Sequence, residues 1–255
     1  MRKKRIFALG SLFVCCAVAV VSFRQGYWIP NYPSNVTFPV RGIDVSHHQG
    51  KIDWSRVKTD FAYIKATEGG DYQDPKFREN WIGSSSFGIR HGAYHYFTFK
   101  ASGKDQAKNF IGTVPKQLQD MPPAVDLEFG GNSRADLYKA DFQRELTEFL
   151  SEVKPAFGTE PIIYTDSGFL SSYLHGFPTT RLWIRSVVLR PSDQPKWTIW
   201  QFSERMKVPG INGYVDQDVF VGTIAEFEAL STELDTSTLK ATNNPGQKQQ
   251  KRPRL

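Results

Sequence analysis

The chain has 255 residues, 14% of them aromatic, and a formal net charge of +6. That length suffices for one large domain with a substantial core, or for two small ones. Arg2, Lys3, Lys4 and Arg5 at one end and Lys248, Lys251, Arg252 and Arg254 at the other supply more than the whole net charge. The body between them is slightly acidic, and no nucleic-acid partner is indicated.

The four N-terminal basic residues precede Ile6 to Phe23, a stretch without a charge. A basic then apolar start reads as an export signal, long for a cleaved peptide and just long enough to span a bilayer. No clean cleavage site follows, so residues 1–23 are expected to be an uncleaved anchor with the body outside the cytoplasm at the cell envelope; a cleaved, secreted form is the alternative. Both cysteines, Cys15 and Cys16, lie in this stretch, so the exported body has no disulfide and no thiol chemistry. Residues 24–40, with several Pro and Asn and no helical period, read as an extended linker.

From there strands and helices alternate. Residues 40–46 form a strand ending near Asp44, and residues 61–67 a second. Asp74-Pro75 opens a helix to about Phe87, stopped by Gly88. Residues 92–97 are strand three, and 104–113 a helix. Strand four is Pro122 to Glu128. A long amphipathic helix covers 133–157, with Tyr138, Phe142, Leu146, Phe149, Leu150 and Val153 on one stripe. Strand five is 161–165, followed by a short helix over 167–174.

Three further strands, 182–185, 197–202 and 214–220, follow with no amphipathic stretch between them. Thr223 and Glu226 make a capping box for a last helix to about Leu230. The polar, basic residues 231–255 read as a disordered tail. Eight strands, the first five alternating with helices, predict a TIM-like β/α barrel of parallel strands with the last helices reduced or missing. The catalytic domain is expected over 41–230.

Asp126 and Glu128 share one face of strand four, roughly 6.5–7 Å apart at Cα. Two acids so placed can have different environments and different pKa values, as acid/base chemistry on a glycosidic bond requires. The C-terminal ends of the other strands carry Asp44, Lys65, Tyr94, Tyr96, Tyr164, Trp183, Trp200, Gln201 and Asp216. In a β/α barrel these ends face one rim, where such enzymes do their chemistry. Acids and ring faces gathered there describe a sugar-binding cleft. His47-His48 raises a zinc site, but neighbours on a strand point opposite ways and no H-E-x-x-H spacing exists, so neither metal nor cofactor is expected. No G-x-S-x-G elbow supports serine hydrolysis.

Gly42 to Trp54 (GIDVSHHQGKIDW) resembles the opening of glycoside hydrolase family 25, the Chalaropsis-type lysozymes. The segments AYIKATEG at 62–69, GAYHYF at 92–97, AVDLE at 124–128, PIIY at 161–164, LWI at 182–184, WQF at 200–202 and GYVD at 213–216 follow in the family's order. The resemblance covers Arg41 to about Leu230. It implies a β/α barrel with degenerate final helices that hydrolyses the β-1,4 bond between N-acetylmuramic acid and N-acetylglucosamine in peptidoglycan, with net retention. It makes Glu128 the general acid and Asp126 the companion that orients the substrate's 2-acetamido group or stabilises positive charge at the anomeric carbon. Asp44 and Asp216 match the other two acidic positions, and Lys65, Tyr94, Tyr96, Tyr164, Trp183, Trp200 and Gln201 fall where glycan is contacted. Two departures stand out: Arg185-Ser186 where the family usually has Ala and an aromatic, and Asp218 where it usually has Asn. Both bear on subsites rather than on the reaction. The partner expected is the glycan strand, met by a monomer. A non-catalytic peptidoglycan-binding module and a hydrolase of another N-acetylated glycan are the competing readings. A binder needs the aromatics but not four acids.

Overall fold

The computed structural model describes residues 2–115, 121–130, 138–179, 181–193 and 196–230. The strands are β1 (Arg41–Val45), β2 (Phe61–Glu68), β3 (Tyr72–Gln73), β4 (Arg90–Tyr96), β5 (Ala124–Leu127), β6 (Ile162–Asp166), β7 (Leu182–Arg185), β8 (Ile199–Met206) and β9 (Val215–Phe220). All but β3 close into one eight-stranded barrel in the order β1-β2-β4-β5-β6-β7-β8-β9, with β9 returning to β1. The short β3 hangs on the end of β2 as an antiparallel flap.

The run from β1 through β8 is parallel, including β7 to β8, which are joined without a helix. The last strand departs from the expected all-parallel barrel. β9 is antiparallel to both β8 and β1. The 207–214 connection is too short for a crossover, which takes a dozen residues or more, so the chain turns back as a hairpin.

The helices are α1 (Arg2–Arg24), α2 (Phe77–Ser86), α3 (Gly103–Thr113), α4 (Lys139–Phe157) and the short α5 (Ser167–Phe169), which continues as a π turn over Leu170–Leu174. A final helix, α6, spans 224–230. Its capping box forms as expected: Thr223 Oγ1 accepts from Glu226 N–H at 3.2 Å, and Glu226 Oε2 accepts from Thr223 N–H at 2.7 Å. α4 buries Phe142, Leu146, Phe149, Val153 and Phe157. Tyr138, expected on that stripe, is instead its exposed N-cap. The first residues of the expected 133–157 helix, and the 231–255 tail, lie outside the described residues.

Alternation on each strand divides the core into two. Outward side chains such as Ile43, Ile64, Val125 and Ile163 pack under α2, α3 and α4 with Phe97, Phe110, Phe142 and Phe149. Inward ones, Phe61, Tyr63, Ile162, Trp183, Ile199 and Phe220, fill the barrel's lower half, and Phe227 and Leu230 of α6 close its base. The plug depends on Gly42, where an added Cβ would lie 2.1 Å from the wholly buried Phe61 ring.

Residues 24–40, expected to be a linker, pack along the barrel. Phe38 is buried and stacks 6.1 Å from Trp197. Tyr32 meets Phe202 edge-on at 5.4 Å, and Asn31 Nδ2 donates to the Ser186 carbonyl at 2.8 Å. The Arg205 guanidinium lies 5.5 Å from the Phe23 ring centroid, so α1 ends against β8. Among the described residues no helix is long and apolar enough to cross a membrane, and the anchor expectation for residues 1–23 finds no support in the fold.

Gly42→Ala should lower stability by about 1–3 kcal/mol, the cost of overpacking a filled core. Phe61→Leu in the same chain should recover part of that loss, because the two sites are in contact. Urea midpoints of the single and double variants would measure the coupling; strictly additive losses would mean that the Gly42–Phe61 contact is not what limits the site.

Candidate active site

The parallel strands bring their C-terminal ends to one rim, where a cleft of about 330 Å³ opens. Asp44, Lys65, Tyr94, Tyr96, Asp126, Glu128, Tyr164, Trp183 and Asp216 all line it. Asp216 reaches the rim for a reason opposite to the one expected. It stands at the start of β9, not near its end, and the reversed strand sets it in register with Asp44.

Two expected residues are placed elsewhere. Trp200 points outward from β8 into the outer core beside Phe38, Trp197 and Phe202, with its indole N–H on the Ser186 carbonyl at 2.9 Å. Adjacent residues on a barrel strand cannot both face in. Gln201 takes the inward position and lies beneath the cleft: its Nε2 donates to Asp44 Oδ2 at 2.8 Å, and its Oε1 accepts from the Tyr164 hydroxyl at 2.9 Å.

Other cleft residues went unread in the sequence. Glu68 pairs with Lys65 at 2.7 Å, and the same ammonium lies 4.9 Å from the Tyr96 ring centroid. Ser46, His48 and Gln49 form the lip. Ser46-His47-His48-Gln49 is itself a capping box for a 3-10 turn, a signal the sequence carried. His47 Nδ1 is 2.7 Å from the buried Asp74 carboxylate, and its ring tilts against His48 at 4.0 Å. His95 faces the outer core, hydrogen-bonded to Thr67 and Gln106. Burial lowers its pKa to about 3, so it is neutral.

Burial dominates the electrostatics. Asp126, 9% exposed, has its pKa pushed well up by loss of water and then by the neighbouring Glu128 and Asp44, against Lys65. Glu128, half-buried just beyond the end of β5, is raised by burial; Arg185 pulls it down, and Asp166 pushes it up. Asp44 and Asp216 are also held well above the usual range, by burial first and by neighbouring carboxyls second. Tyr94 and Tyr164 are raised by burial and the same acids, and stay neutral. The cleft therefore keeps carboxyl protons at pH values where exposed acids have lost theirs.

These shifts fix a sign. An acid whose folded pKa is raised contributes fully to stability below its unfolded value, about pH 4. That contribution is lost as pH climbs towards the folded value. The melting temperature should therefore fall as pH rises from about 4. Scanning calorimetry over that rise would show it; a melting temperature that climbs with pH would mean the cleft acids are ionised in the fold.

Residues 43–211 match the sequence model of Glycosyl hydrolases family 25. The uncharacterized protein YegX of Escherichia coli (strain K12) is 37% identical over 208 residues, covering 76% of this chain and 74% of that protein. Lysozyme M1 of Streptomyces globisporus is 34% identical over 212 residues, 76% of this chain and 72% of that protein. Among solved structures, a family 25 glycosyl hydrolase from Bacillus anthracis matches with a TM-score of 0.74 at 33% identity, over 80% of this chain and 98% of that one. Likeness of this extent, in sequence and in the closed barrel alike, makes the chain a member of glycoside hydrolase family 25.

Proposed function

We propose that the protein is a muramidase that cleaves the β-1,4 bond between N-acetylmuramic acid and N-acetylglucosamine in peptidoglycan, with net retention. The observation that carries this reading is the Asp126–Glu128 pair, set at different depths on one inner face of a cleft walled by Tyr94, Tyr96, Tyr164 and Trp183. The basic then apolar N-terminus supports action outside the cytoplasm, where peptidoglycan lies.

Glu128 is the more accessible acid and the one that can reach a leaving oxygen. Burial keeps its proton in place, and Lys65 and Arg185 favour its charged form once the proton has gone. Among the described residues Asp126 Oδ1 has no hydrogen-bond partner, and it is an acceptor suited to the N–H of a sugar acetamido group. The acetamido oxygen then attacks the anomeric carbon as Glu128 protonates the departing N-acetylglucosamine oxygen. The oxazolinium formed is neutralised by Asp126, which carries the pair's one negative charge while Glu128 holds its proton. In the second step Glu128 takes a proton from water, which adds to the anomeric carbon and reopens the ring. Two displacements at one carbon restore the starting configuration.

Glu128→Gln should lower kcat by ~10²–10⁴-fold, the range for a positioned acid, with the fold intact. Asp126→Asn should be comparably severe. Mass spectrometry of fragments released from purified wall should find N-acetylmuramic acid at the new reducing ends. Proton NMR should find the β anomer first; an α anomer at early time would mean inversion and would require a water held between the two acids instead.

A further inference from the structure

Under the cleft, carboxyl groups stand in a row. Asp44 on β1 is in register with Asp216 on β9, and Gly42 with Asp218. Asp44 and Asp218 are therefore diagonal neighbours on adjoining strands, and each acts on the other's ionisation. Asp218 is wholly buried. Its Oδ1 accepts from Trp183 Nε1 at 2.8 Å, while Oδ2 is buried with no amide, hydroxyl or cationic donor among the described residues. The groups that act on it are Asp216, Trp183 and Asp44. Tyr63 faces it from β2 but gives its hydroxyl hydrogen to the Pro122 carbonyl at 3.0 Å. Gln201, in register with Asp218 on β8, gives its amide hydrogen to Asp44.

Two carboxyls so placed can hydrogen-bond to each other only with a proton on one of them. Ionising both would leave adjacent buried charges with no cation between them, a costly arrangement. We propose that Asp218 is a positioning residue that holds one proton in common with Asp44, so that the two acids carry a single charge and fix Trp183 and Gln201 in the cleft's floor. Trp183 is tied to one end of this unit and Gln201 to the other, and Gln201 in turn holds the Tyr164 hydroxyl. The floor of the cleft is thereby set by a proton as much as by packing.

Asp218→Asn keeps an acceptor for Trp183 and a donor towards Asp44, with no titrating proton. The infrared difference between wild type and this variant at neutral pH should show the C=O stretch of a protonated carboxyl in the wild type alone. The variant's melting temperature should fall less steeply with rising pH, since one proton fewer is held in the fold. Its kcat/KM on purified peptidoglycan should stay within about tenfold of wild type, the scale of a single hydrogen bond. Asp218→Leu, which strands the Trp183 N–H, should lose far more. A wild type without the extra protonated carboxyl would overturn the proposal, as would an Asp218→Asn variant as inactive as Asp218→Leu. The activity arm rests on the muramidase reading, but the infrared and thermal arms need no substrate. A protein that shows both yet releases no wall fragments would keep the shared proton and lose the muramidase.

Discussion

Closing eight strands on themselves forces every second side chain into a space that water barely enters. In this barrel the inward positions at the rim include Asp44, Asp126 and Asp216, with Asp218 just below and Glu128 just above. Charged carboxylates cannot be crowded there without cations. Lys65 and Arg185 are the cations that favour ionisation in this group, and each is itself paired with a glutamate, Glu68 or Glu204. The balance is met by protons. Raised pKa values are thus a consequence of the fold's geometry, and the protons of the cleft are ones that the barrel must hold in order to exist.

That constraint explains the layers beneath. The lower half of the barrel is a dry plug of Phe61, Ile162, Ile199 and Phe220, sealed by Phe227. A middle layer of Tyr63, Tyr164 and Trp183 mediates between plug and cleft, each ring apolar in body and polar at one point. Trp183 lies tilted 4.8 Å from Tyr63 and edge-on 4.9 Å from Tyr164 while its N–H serves Asp218. Such rings bury area and still satisfy a carboxyl from below, which an aliphatic layer could not do.

Much of this arrangement was legible in the sequence, because a strand's period of two and the order of strands and helices are local properties. The Asp126–Glu128 pair, the rim tyrosines and Trp183 followed from them directly. What was not legible depended on partners. Trp200 reads as a cleft residue only while the parity of its strand is open; beside an inward Gln201 it has to face out. The direction of β9 lies in the length of the 207–214 turn rather than in the strand, whose own residues suit either direction. Residues 24–40 looked like a linker because Tyr32 and Phe38 are isolated apolar residues whose use appears only once Phe202 and Trp197 are beside them. Asp218 shares the inward parity of Asp216, the same period of two that sets Asp126 and Glu128 on one face.

The reversed last strand also decides which ends of the barrel the chain's flanking segments join. α1 meets the barrel at the tip of β8, beside Arg205 and next to Glu204, whose charge is felt by Glu128. β9 runs the other way and delivers α6 to the base. The front leash and the rear handle are therefore at opposite poles. Whatever grips the N-terminal segment holds the barrel near its open end, whereas α6 stands at the sealed end, away from the cleft.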